Sequence, residues 1–178
     1  NLANNPKTLS TVAQHFQLPA EASLKDVCQA LLNEADRISS SNEVCQKARL
    51  EFLKAAKEAQ DRGVTYLVAA GNHGDFGREL ESIGVEASAS AFRNVLVNDH
   101  VTVVGATDAQ GHPSTLNSPN ARIEVYALGE NLPWHVGEDL NRDGVNSGTS
   151  FATPIVAGKA AQIYQHQPGV TPFDVKSQ

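Results

Sequence analysis

Two short runs constrain this chain more than anything else in it: VTYLVAA, Val64 to Ala70, and VTVVGAT, Val101 to Thr107. Both are apolar and rich in β-branched residues, and neither alternates cleanly between apolar and polar. A strand of that kind must be covered on both faces, which is the condition of a strand inside a parallel sheet. A third run, RIEVYAL from Arg122 to Leu128, alternates more regularly. Helical patterns precede and follow these strands. That order predicts an α/β layered domain built on a parallel sheet.

The helices can be read in outline. Leu24, Val27, Leu31 and Ile38 share helical spacing over Ser23 to Ile38, with Ser23 as N-cap. Ser40 and Glu43 fit a Ser-x-x-Glu capping box for the next helix. Its apolar stripe is Val44, Ala48, Phe52, Ala55, Ala56 and Ala59, and Gly63 suits its C-terminal stop. Thr149 to Gln165 forms an Ala-rich helix, apolar on most faces and so expected to be buried. Pro154 falls in its first turns, where proline is best tolerated.

Composition narrows the function classes. A chain of 178 residues, 40% apolar and 19% charged, is of ordinary size for one globular domain. A net charge of -6 argues against a nucleic-acid or anionic-membrane surface, which needs clustered Lys and Arg. No apolar run approaches the ~20 residues that span a bilayer. Cys28 and Cys45 are too few for a disulfide framework; they form one bridge, worth roughly 3 kcal/mol in the chain-entropy view, or remain free thiols. The chain begins with Asn1 and contains no Met, so a processed or cut piece is expected.

Two stretches carry chemistry. In VAAGNHG, Val68 to Gly74, a strand ends in small residues and then presents Asn72. Sites in open α/β sheets lie just beyond the carboxyl ends of strands, where an amide N–H can meet a ligand oxygen; Gly-Asn is equally ordinary turn chemistry. In NSGTSFATP, Asn146 to Pro154, Ser150 sits at a helix start among unsatisfied backbone N–H groups and the positive end of the helix dipole. Taken alone, Thr149 or Ser150 reads as an N-cap.

Together the two stretches resemble the subtilisin-like serine proteases, or subtilases. Gly148-Thr149-Ser150-x-Ala152-x-Pro154 matches the family's nucleophile motif at every fixed place. Ala69-Ala70-Gly71-Asn72 matches its oxyanion motif, and Val101 to Ala106 matches the strand between them. The resemblance covers about residues 45 to 170. It implies the C-terminal part of a three-layer, parallel-sheet subtilisin-like fold, with residues 1–40 a helical insertion or extension and 41–178 the catalytic-domain part. Ser150 would be the nucleophile, and the Asn72 amide with the Ser150 N–H would hold the oxyanion. Ala69, Ala70, Gly71, Gly148 and Thr149 would contact substrate.

The same resemblance exposes a gap. The family triad needs an Asp and a His upstream of the oxyanion Asn, in Asp-Ser/Thr-Gly and His-Gly-Thr-His. Neither motif is present. His15, Asp26, Asp36 and Asp61 fall in helical patterns, His73 follows Asn72 directly, and His100, His112, His135 and His166 read as surface histidines. Either the Asp and His lie on a missing N-terminal part, leaving this chain inactive alone, or the fold is kept for binding without catalysis. An esterase is disfavoured, because Gly148-Thr149-Ser150-Phe151-Ala152 departs from Gly-x-Ser-x-Gly. The substrate implied is a protein or peptide, and the location secreted or extracytoplasmic. Finally, Asp139, Asn141, Asp143 and Gly144 match the start of a calcium loop, although Ser150 stands where its bidentate Glu belongs; the other reading is a tight Asp-Gly hairpin turn.

Overall fold

The protein is described by a computed structural model covering residues 5–87, 92, 95–134 and 144–177. Helices α1 (Pro6–His15), α2 (Leu24–Ser41) and α3 (Glu43–Asp61) come first. Strand β1 (Leu67–Ala69), helix α4 (Gly74–Ser82), β2 (Thr102–Thr107) and β3 (Val125–Leu128) follow. Strands β4 (Leu132–Trp134) and β5 (Gly144–Asn146), then helices α5 (Thr149–His166) and α6 (Pro172–Ser177), complete the order.

The expected parallel sheet is present, in the order β1-β2-β3. Val68 pairs with Val103 and Ala106 with Ala127. Alternation along β1 and β2 then builds two apolar clusters. Val68, Ala70 and Val103 pack with Ala56 and Phe52 of α3 on one face. Leu67, Val104 and Ala106 pack with Ala152 and Val156 of α5 on the other. The result is helix, sheet, helix, as short strands apolar on both sides require.

Local chemistry explains the element ends. Ser23 and Asp26 form a reciprocal capping box at the start of α2. Gly63 follows α3 at φ +84, a left-handed stop. The Ser40 cap is corrected: Ser39 to Ser41 stay helical, the Ser40 hydroxyl donates back to Asp36 O at 2.6 Å, and Asn42 caps α3 by accepting from Cys45 N at 3.1 Å. Only Asn42 interrupts the helices, because an Asx side chain can replace a backbone acceptor in a single residue. Cys28 and Cys45 are both free, and burial pushes the Cys28 thiol above its ordinary range.

Helix α5 differs from expectation in its burial. Thr149, Ala152 and Ala160 are buried, but Ile155 is 46% exposed and its flank is open. One side packs on the sheet. Elsewhere on the helix Pro154, Ala157, Gly158 and Ala161 are also exposed. A groove of about 540 Å³ runs beside it, lined by Leu67, Val125, Ala127, Ile155, Val156 and Ile163 among others.

Candidate active site

The carboxyl end of β1 and the start of α5 meet at one point. Gly71 leaves the strand at φ +95, a conformation that glycine adopts without steric cost. This turns Asn72 toward α5. There Asn72 Oδ1 accepts from the Thr149 N–H at 2.9 Å and from the Thr149 hydroxyl at 3.0 Å. The same hydroxyl accepts from the Gly71 N–H at 3.1 Å. The amide is thus held by its oxygen, which fixes the direction of its Nδ2.

That Nδ2 faces the nucleophile candidate. A Cβ on Gly148 would lie 3.0 Å from Asn72 Nδ2 and 3.2 Å from Ser150 Oγ. Both polar atoms therefore border the small space that the missing side chain leaves. Neither has a hydrogen-bond partner among the described residues. The Ser150 N–H belongs to the first turn of α5, whose donors have no partner within the helix. An oxygen beside Gly148 would meet an amide N–H, a helix-start N–H and the positive end of α5.

The expected site residues fall into distinct places. Ser150 and Asn72 are exposed and brought together. Gly148 lies between them, its N–H donating to Gly129 O at 2.7 Å. Thr149 is 1% exposed, and its hydroxyl donates to Asn72 Oδ1 and accepts from the Gly71 N–H. Ala70 is fully buried with Ala56 and Val68, and its N–H donates to Val104 O at 2.9 Å. Ala69 and Gly71 are half-buried at the rim. Asp139, Asn141 and Asp143 lie outside the described residues; β4 and β5 bracket them, with Trp134 paired to Gly144.

No His, Asp or Glu hydrogen-bonds Ser150 among the described residues. His15 ends α1 against Phe16, Asp26 caps α2, and Asp61 pairs with Lys57 at 2.6 Å. His73 stacks on Phe92 and shares a hydrogen bond with Ser118. His100 pairs with Gln60, and His112 with Asp108. Sequence reading missed α4 and the Ser118 contact. Gly74 and Gly77 disguise the helix, since glycine is a poor helix former. Both are needed for packing: a Cβ at Gly74 would run into Thr115 O, and one at Gly77 would lie 2.6 Å from Pro119 Cγ.

Comparison with known proteins gives the chain a family. The model of the Subtilase family matches residues 4–178. Subtilisin DY of Bacillus licheniformis is 32% identical over 131 residues, covering 69% of this chain and 42% of the relative. Serine protease AprX of Bacillus subtilis (strain 168) is 31% identical over 150 residues, covering 70% of this chain and 31% of the relative. The chain thus spans less than half the length of either relative. Among solved structures, the crystal structure of a cold adapted subtilisin-like serine proteinase aligns over 70% of this chain and 40% of its own, with TM-score 0.50 and 23% identity, a likeness of fold. Among the described residues, no helix is long and apolar enough to cross a membrane.

Proposed function

The chain belongs to the subtilase family, and from that premise we propose that it is the nucleophile-bearing part of a serine endopeptidase. Ser150 Oγ attacks the carbonyl carbon of a peptide bond, and its proton passes to a His outside this chain. The carbonyl oxygen becomes an anion beside Gly148, where Asn72 Nδ2 and the Ser150 N–H donate to it. Collapse breaks the C–N bond, and the amine leaves with the proton returned by the His. Water then hydrolyses the ester on Ser150 by the same steps in reverse roles. Ala69, Gly71 and the Gly148 backbone would border the substrate.

The observation that carries the reading is the convergence of Asn72 Nδ2 and Ser150 Oγ on the space at Gly148, with Oδ1 locked by Thr149. The base and its orienting Asp are assigned to an N-terminal part of the same protease. The uncovered apolar flank of α5 supports this, because a helix apolar on most faces is stable only when covered. On this reading that flank and its groove receive the N-terminal part, the assembled enzyme acts on protein substrates outside the cytoplasm, and Ca²⁺ at Asp139, Asn141 and Asp143 ties down the chain entering β5.

The competing reading is a binding module without catalysis, favoured by the lack of any base hydrogen-bonded to Ser150 among the described residues. Peptide hydrolysis separates them. This chain combined with its Asp- and His-bearing part should cleave a denatured protein substrate, and Ser150→Ala should abolish cleavage. A properly assembled protein without cleavage would contradict the peptidase reading. Cell fractionation checks the compartment.

A further inference from the structure

Asn72 lies between two residues that are both hydrogen-bonded to one residue, Ser118. The Ser118 N–H donates to Gly71 O at 3.0 Å. The Ser118 hydroxyl accepts from the His73 N–H at 3.1 Å and lies 3.1 Å from His73 Nδ1. With its oxygen accepting from the backbone, the hydroxyl has its own proton left for the ring nitrogen. Ser118 is 4% exposed. A Cβ on Gly71 would stand 2.5 Å from Ser118 Oγ, so the hydroxyl packs directly against the α-carbon preceding Asn72.

The segment that delivers Ser118 is itself anchored to the central strand. Asn117 Oδ1 accepts from the Ala106 N–H at 2.8 Å, and Asn117 Nδ2 donates to Ala106 O at 2.9 Å. Leu116 O accepts from the Gly74 N–H at 3.0 Å. A path of hydrogen bonds therefore runs from β2 through Asn117 and Ser118 to the backbone on both sides of Asn72. Thr149 holds the Asn72 side chain; Ser118 holds the chain from which it projects.

We propose that Ser118 is a positioning residue for the Asn72 amide, acting on the oxyanion donor through the backbone of Gly71 and His73. The proposal rests on the acyl-transfer reading above. A preorganised donor loses much of its effect when displaced by a fraction of an ångström, because its value lies in being fixed before charge develops.

A kinetic double-mutant cycle in the active protease tests this. Ser118→Ala should lower kcat about 3- to 10-fold with KM nearly unchanged, the size of one hydrogen bond of ordinary net strength. The same change made in Asn72→Ala should have almost no further effect, since the group it acts through is gone. Ser118→Cys, similar in size but a weak acceptor, carries the same test should the alanine variant fail to fold. An equal loss in both backgrounds, or an effect on KM alone, overturns the role of Ser118. Full activity in Asn72→Ala overturns the acyl-transfer reading itself, and this role with it.

Discussion

The Thr149 hydroxyl donates to Asn72 Oδ1 at 3.0 Å, so the helix that carries the nucleophile candidate also sets which way its neighbouring amide points. An Asn side chain has a donor end and an acceptor end of nearly equal shape. Two donors on Thr149, its N–H and its hydroxyl, select the orientation that leaves Nδ2 toward Ser150.

Thr149→Val keeps the shape and removes the hydroxyl. It leaves the half-buried Gly71 N–H without its acceptor. Stability should fall by about 1–3 kcal/mol, read from denaturant midpoints. Turnover should fall roughly 3- to 10-fold, the weight of one ordinary hydrogen bond, and Thr149→Ser should restore both.

Gly148→Ala tests the space itself. The backbone there is extended at φ 162, so alanine fits it without strain. Its methyl would nonetheless stand 3.0 Å from Asn72 Nδ2 and 3.2 Å from Ser150 Oγ. Cleavage should drop by about 10²-fold or more, comparable to losing the oxyanion donor, a loss known from subtilisin itself. The melting temperature should shift by only a few degrees, because the methyl crowds two side chains and not backbone.

Helix α2 is tied to the segment after α4 through Gln29. Its Nε2 donates to Glu86 O at 2.8 Å and its Oε1 accepts from the Glu86 N–H at 2.8 Å. Gln29→Ala removes both bonds and should cost roughly 1–2 kcal/mol. Amide exchange should accelerate across α2 before it does in β2.

Acid should loosen α2 at its start. Hydrogen bonds from the Ser23 hydroxyl, and then from the Ser23 N–H, hold the Asp26 carboxyl below its ordinary 3.8. A carboxyl depressed on folding contributes stability above its unfolded value and loses it as pH falls through the folded one. The contribution is therefore complete at neutral pH and disappears below 3.8. Asp26→Asn should flatten that part of the acid profile, followed by helix circular dichroism.

Calcium should raise the melting temperature of the assembled protein if Asp139, Asn141 and Asp143 hold the ion, and Asp143→Ala should remove the increase. An unchanged melting temperature on titration with Ca²⁺ would refute that assignment.

The sheet was legible because VTYLVAA and VTVVGAT permit few alternatives, and the ends of α5 because Gly148 and His166 flank one long apolar stretch. Asn72 and Ser150 were legible as motifs. The grip on Asn72 was not: Ser118 is separated from it by α4 and β2, and only tertiary contact reveals that its N–H holds Gly71 while its hydroxyl holds His73. Thr149 reads as a substrate contact in the motif; that it also holds Asn72 is visible only in the folded structure. The exposure of Ile155 was also unreadable, since apolar sequence states that a face needs covering and not whether the cover is on the same chain.

The central claim, that Ser150 is a nucleophile completed by residues outside this chain, is tested most directly by a fluorophosphonate probe with mass-spectrometric identification of the modified residue. The account predicts covalent labelling at Ser150 when the Asp- and His-bearing part is assembled with this chain, little labelling of the chain alone, and none in Ser150→Ala. An ordered, complete assembly that leaves Ser150 unlabelled would contradict it.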